Sequence, residues 1–145
     1  MSKKKKFKKT VNNAPSDKYL DDLYREVCLT RDGWMCRYMK EKHSAVMTRE
    51  NANLEVHHIM KKTTRRLRWN LSNGITITEK SHKNIAHNQD PTIKNSFRLW
   101  ALKRLTKTQR EGLEKLERLR ETGGVNKFTV KEYLKLKLKT YQLAG

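Results

Sequence analysis

Cysteine is nearly absent from this 145-residue chain: Cys28 and Cys36 are the only two. Two cysteines cannot build a four-thiolate zinc site, and their spacing suggests no disulfide framework. No apolar run is long enough for a transmembrane span. The N-terminus is charged but no apolar segment follows it, so it does not read as a secretory signal, and the expected location is the cytoplasm. Proline occurs twice, and internal repeats are missing. Acid is scarce: 15 Asp and Glu stand against 34 Lys and Arg, a formal net charge of +19. Such a balance favours a polyanionic partner through counterion release, and nucleic acid is the expected one. The plainer alternatives are a solvated surface or a ribosome-associated protein.

The length fits one domain with a modest core. Residues 1–16 read as a disordered basic arm, in which Lys3, Lys4, Lys5, Lys6, Lys8 and Lys9 have no acidic neighbour and suit a phosphate backbone. Ser16 predicts a helix cap, and Leu20, Leu23, Tyr24, Val27 and Cys28 give one buried helical stripe over about 17–30, stopped at Gly33. Residues 34–53 are mixed, with Trp34 and Tyr38 as core anchors. Two short strands are expected at 54–59 and 74–78, then a helix over 79–87. Asp90-Pro91 opens a further helix, Thr108 with Glu111 suggests a capping box, and Gly123-Gly124 ends that stretch. For the last segment Thr129 and Glu132 suggest a helix, whereas Leu134-Lys135-Leu136-Lys137-Leu138 alternates like a strand; helix is preferred. The division is arm 1–16, core 17–105 and helical extension 106–145.

The chemistry-bearing residues fall in one order: His57-His58, fourteen residues, Asn73, eight residues, His82. Phosphodiester hydrolysis needs an activated water, neutralised phosphate charge and a stabilised leaving oxygen. One divalent ion serves the last two needs and a neutral histidine the first. Adjacent strand residues point to opposite faces, so His57 and His58 take different roles, one towards the metal and the other towards the water. A bend or bulge is expected to bring both into one cleft. Asn73 can hydrogen-bond backbone near the histidine, and His82 on a helix completes the metal shell. Lys61, Lys62, Arg65, Arg66 and Arg68 occupy the loop between the strands and are expected phosphate contacts. Glu55 is read as outward-facing and His43 as surface.

His57-His58-X14-Asn73-X8-His82 resembles the HNH (ββα-metal, His-Me finger) endonuclease motif. Arg31-Asp32-Gly33-Trp34-Met35-Cys36, Leu54-Glu55-Val56-His57-His58-Ile59 and Asn73-Gly74-Ile75-Thr76-Ile77 are similar to its surroundings, so the likeness covers roughly residues 20–100. Arg68-Trp69-Asn70-Leu71 is similar to HNH proteins of bacteriophages and mobile elements, which would make the location a host cell's cytoplasm. The resemblance implies an α+β fold with a ββα-metal core and flanking helices. It implies His58 as general base, His57 and His82 as metal ligands, and Asn73 orienting the base and holding the loop. The product ends would be 5′-phosphate and 3′-hydroxyl. Mg²⁺ or Mn²⁺ is the expected working ion, with Ni²⁺, Co²⁺ or Zn²⁺ binding in vitro.

The sequence departs from the family twice. Met39, Thr78 and Ser81 stand where three of four zinc-binding cysteines occur in many members, so no structural zinc is expected, and Trp34, Met39, Trp69 and Ile77 are expected to pack there. His87 lies five residues after His82, where some members place a ligand at four. Five residues on a regular helix turn about 140°, so His87 needs a helix end or bulge to reach the ion. The expected partner is DNA, with no membrane, acted on by a monomer or homodimer that nicks one strand. The alternatives are a structure-selective nuclease of recombination or packaging intermediates, and a non-catalytic DNA-binding protein with a relict HNH fold.

Overall fold

The computed structural model describes residues 14–61, 65–119 and 124–145. The expected phosphate contacts Lys3, Lys4, Lys5, Lys6 and Lys62, and the stop at Gly123, lie outside the described residues. The fold is mixed α+β, with a two-stranded antiparallel sheet set among helices.

Helix α1 spans Asp17–Arg31, and Ser16 caps it by accepting from the Tyr19 backbone N–H at 3.0 Å. Gly33 turns the chain at φ +67°, a conformation that costs a residue without a side chain least. The unassigned stretch contains helix α2, Arg37–His43, with the Cys36 thiol at its N-cap. Trp34 and Tyr38 pack half-buried against the larger core cluster, while His43 is exposed.

Strands β1 (Leu54–His58) and β2 (Gly74–Thr78) pair in a regular register from Leu54↔Thr78 to His58↔Gly74, without a bulge. Helix α3, Arg65–Arg68, lies in the connection between them. Gly74 is required where it stands, because a Cβ there would meet the Tyr24 ring and come within 2.9 Å of Cys28 Sγ. Thr78 then caps the short helix α4, Glu79–Ser81, and the chain continues directly into a π-turn over His82–Ala86. Helix α5, Pro91–Lys103, starts at Asp90 as read from the sequence.

Two expectations need correcting. The capping box before α6, Lys107–Leu119, is Thr106 with Gln109, not Thr108 with Glu111: Thr106 Oγ1 accepts from the Gln109 N–H at 3.1 Å, and Gln109 Oε1 accepts from the Thr106 N–H at 2.9 Å. This reciprocal pair leaves Thr108 inside the helix. Trp69 does not pack with Trp34, Met39 and Ile77; it belongs to a second cluster with Leu20, Leu23, Val27 and Leu134. At the zinc-cysteine positions Thr78 Oγ1 donates to Ser81 Oγ at 2.9 Å and accepts from the Ser81 N–H at 3.0 Å.

Helix α7, Lys127–Ala144, decides the conflict at the C-terminal segment. Leu134 is fully buried against α1, with Val130, Leu138 and Tyr141 alongside it, whereas Leu136 is exposed. That spacing is helical, and of the lysines in the strand-like alternation Lys135 is exposed and Lys137 partly buried.

Candidate metal centre

Period two along β1 places Glu55 and His57 on one face and Val56 and His58 on the other. His57 is buried, its ring edge-on to Phe97 of α5 at 5.4 Å between centroids. His82 opens the π-turn and stands 5.1 Å from His57 between ring centroids. The π-turn closes with the His87 N–H on the His82 carbonyl at 3.1 Å. An i→i+5 turn brings residues five apart nearly into line, so His87 Nε2 lies 2.9 Å from His82 Nε2. This is the helix irregularity that His87 required. One nitrogen from each of His57, His82 and His87 falls within 4.8 Å of the others, a group able to hold a metal ion.

The donor set suits a cation in three respects. His82 Nε2 and His87 Nε2 stand within hydrogen-bonding distance, 2.9 Å, so the two nitrogens already converge on one point. His82 Nδ1 is 2.5 Å from Glu55 Oε2, so the carboxylate accepts a hydrogen bond from Nδ1–H and leaves the Nε2 lone pair as the ligand atom. Burial, together with nearby His82, His87 and His58, lowers the His57 pKa to about 3, which keeps the ring neutral and able to ligate. Partial burial and His82 likewise hold His87 below its ordinary value. His57 Nδ1 is buried with no hydrogen-bond partner among the described residues.

His58 belongs to the same cleft, a cavity of about 850 Å³ that also includes Glu55, His57, His82 and His87. No bulge brings the two adjacent histidines together, contrary to expectation. Consecutive residues from Glu55 to Ile59 all line the cavity, because it follows the open edge of β1, where both faces are reachable. His58 stacks on Tyr24 of α1 at 5.3 Å, and its Nε2 lies 2.8 Å from the Arg68 carbonyl. Only a donor can face a carbonyl, so Nε2 carries the proton and Nδ1 the basic lone pair of the neutral ring.

Asn73 is completely buried and does not touch the cleft. Its Oδ1 accepts from the Met60 N–H at 2.8 Å, and its Nδ2 donates to the Met60 and Leu67 carbonyls at 3.0 and 3.1 Å. It ties both ends of the loop after β1, fixing the stretch that offers the Arg68 carbonyl to His58; it is a positioning residue.

No family model, curated protein or solved structure matches this chain. What the cleft can do is therefore read from its own chemistry.

The basic loop divides. Lys61 lines the histidine cleft. Arg68 forms a bidentate pair with Asp21 at 2.8 and 2.5 Å, and Arg65 lies 3.5 Å from Asp17, so two of the expected phosphate contacts are engaged by α1 carboxylates. Arg65 and Arg66 border a separate, mostly apolar cavity. The cations that do join Lys61 around the metal cluster are Arg25 of α1 and Lys94 and Arg98 of α5, none singled out from the sequence. The signal for the last two was an i,i+4 basic pair one turn into a helix that follows His87 closely. Glu55, read as outward-facing, is half-exposed and reaches His82. Its position two residues before His57 already put both on one strand face.

Proposed function

We propose that this protein is a metal-dependent nuclease with a ββα-metal core of the HNH kind, hydrolysing DNA phosphodiesters. The observation that supports this reading is the meeting of three ligand-poised histidines with a fourth, differently held histidine in one cleft, on a chain of net charge +19.

Bound among His57, His82 and His87, a divalent ion would supply charge neutralisation at the phosphate and stabilise the leaving oxygen. Glu55 orients His82 and offsets positive charge beside it. His58 takes the proton from the attacking water at Nδ1, while the Arg68 carbonyl accepts from Nε2–H and stabilises the imidazolium that forms. Lys61 and Lys94 hold phosphates along the cleft, where Arg98 is paired with Glu117 at 3.4 Å. The pattern of 5′-phosphate ends follows from the family resemblance. Three imidazoles are a softer set than the oxygen shell Mg²⁺ prefers, so Mn²⁺, Co²⁺, Ni²⁺ and Zn²⁺ bind more tightly, and of the two expected working ions, Mg²⁺ and Mn²⁺, the site favours Mn²⁺.

The test is supercoiled-plasmid cleavage with Mn²⁺, Mg²⁺ or EDTA, comparing wild type with His58→Ala. Metal-dependent nicking that the substitution abolishes supports the reading. DNA binding without cleavage under any divalent ion overturns it in favour of a non-catalytic DNA-binding protein.

A further inference from the structure

A second cavity, of about 330 Å³, lies away from the histidine cleft, sharing with it only the buried side chain of Ile59. Its walls carry Arg31, Arg37, Arg104 and Lys137 against one carboxylate, Asp32. Arg31 is already spent: it pairs bidentately with Asp32 at 2.8–2.9 Å and donates to the Leu71 and Gly74 carbonyls at 2.6 and 2.7 Å. Asp32 is in turn spent on Arg31 and on the Thr76 N–H, 3.1 Å away. That leaves Arg37, Arg104 and Lys137.

Arg37 has a buried Nε with no hydrogen-bond partner, and no carboxylate pairs with it among the described residues. Arg104 meets only the edge of the acid supply, 3.3 Å from the exposed Glu41. Burial first and the positive charge of Arg37 next hold Arg104 below its ordinary pKa, against the opposing pull of Asp32 and Glu41. Lys137 lies over the Tyr133 ring at 5.8 Å and has no ion pair among the described residues. A partly buried guanidinium without an acceptor is costly, and planar guanidinium forks match phosphate oxygens.

We propose that this cavity binds a phosphate group, held by Arg37 and Arg104 with Lys137 at its mouth. The source is either a backbone phosphate of a nucleic acid reaching beyond the metal cleft or a free phosphate compound. The inference does not depend on the nuclease reading, since it uses no residue of the metal cleft except the shared Ile59 wall.

Full-length protein in EDTA is titrated with pyrophosphate by calorimetry and thermal melting, for wild type, Arg37→Gln, Arg104→Gln and, as a control at an exposed lysine that lines neither cavity, Lys115→Gln. Expected is saturable binding, at least tenfold weaker in Arg37→Gln and Arg104→Gln and unchanged in Lys115→Gln. Without anion, Arg37→Gln should melt higher than wild type because unpaired like charge is relieved, and pyrophosphate should reverse that order. This reversal separates a site from a folding defect. Equal affinity in all variants, or no saturable binding, overturns the proposal. A short DNA duplex that displaces pyrophosphate identifies the backbone as the source; simultaneous binding of both identifies a free phosphate compound.

Discussion

Glu55 shows how much a single side chain can govern in this cleft. Its carboxylate is the group that chooses the His82 tautomer, and outer partners of metal ligands typically change affinity 10–100-fold. Glu55→Ala should therefore weaken Mn²⁺ or Zn²⁺ binding by about that factor in calorimetry, while the apo melting temperature hardly moves, since the carboxylate is substantially exposed. Unchanged affinity would show that the contact does not orient the ligand. His57 gives a pH dependence of stability. Its folded pKa, about 3, is depressed below the ordinary 6.5 by burial first and neighbouring histidines next. The unfolded chain takes up the proton first as pH falls, so the apo protein loses up to about 1.4 kcal/mol per pH unit below about 6.5, until the folded value is reached. Melts in EDTA from pH 7.5 to 4.5 should show that decline, and His57→Leu should flatten it. Asn73→Ala leaves the Met60 N–H and two carbonyls unsatisfied in the core and should cost about 3 kcal/mol in denaturant unfolding.

Elements explain why those side chains meet. The π-turn supplies His87, and α1 supplies the frame. Asp17, Asp21 and Tyr24 lie on one side of α1, pairing with Arg65, pairing with Arg68 and stacking on His58 respectively. Gly74→Ala would push the Tyr24 ring and Cys28 apart; the expected result is a lower melting temperature together with a fall in nicking, read on the same preparation. Capping offers a sharper discrimination. Thr106→Ala should destabilise by about 1 kcal/mol, whereas Thr108→Ala, within the helix, should stay inside about 0.5 kcal/mol. The opposite order would restore the box first read from the sequence. Both strands, both proline- or serine-marked helix starts and the histidine order were legible because each rests on local spacing. The π-turn was not, because an inserted residue leaves no mark in the pattern 82–87 beyond an awkward gap. Nor were the Arg65 and Arg68 ion pairs, which depend on acids more than forty positions away.

At the scale of the molecule, the C-terminal helices belong to the core. Leu113 of α6 and Leu134 of α7 are both buried in the clusters that enclose the sheet and α1. Leu134→Ala should cost about 2–5 kcal/mol, measured by denaturant unfolding, and its effect should reach the cleft through α1. A loss under 1 kcal/mol would mean that α7 is only loosely docked. None of the helices is long and apolar enough to cross a membrane among the described residues. The positive charge of the composition is unevenly spent: some guanidiniums face carboxylates, others line the cleft, and the buried Arg37 Nε has no partner among the described residues.

The partner of His58 is a carbonyl of the main chain. No codon change can delete a carbonyl. A saturation mutagenesis screen would therefore register that oxygen only through the side chains that place it, the Arg68–Asp21 salt bridge and the Asn73 amide. The group nearest the proton would leave no genetic trace of its own.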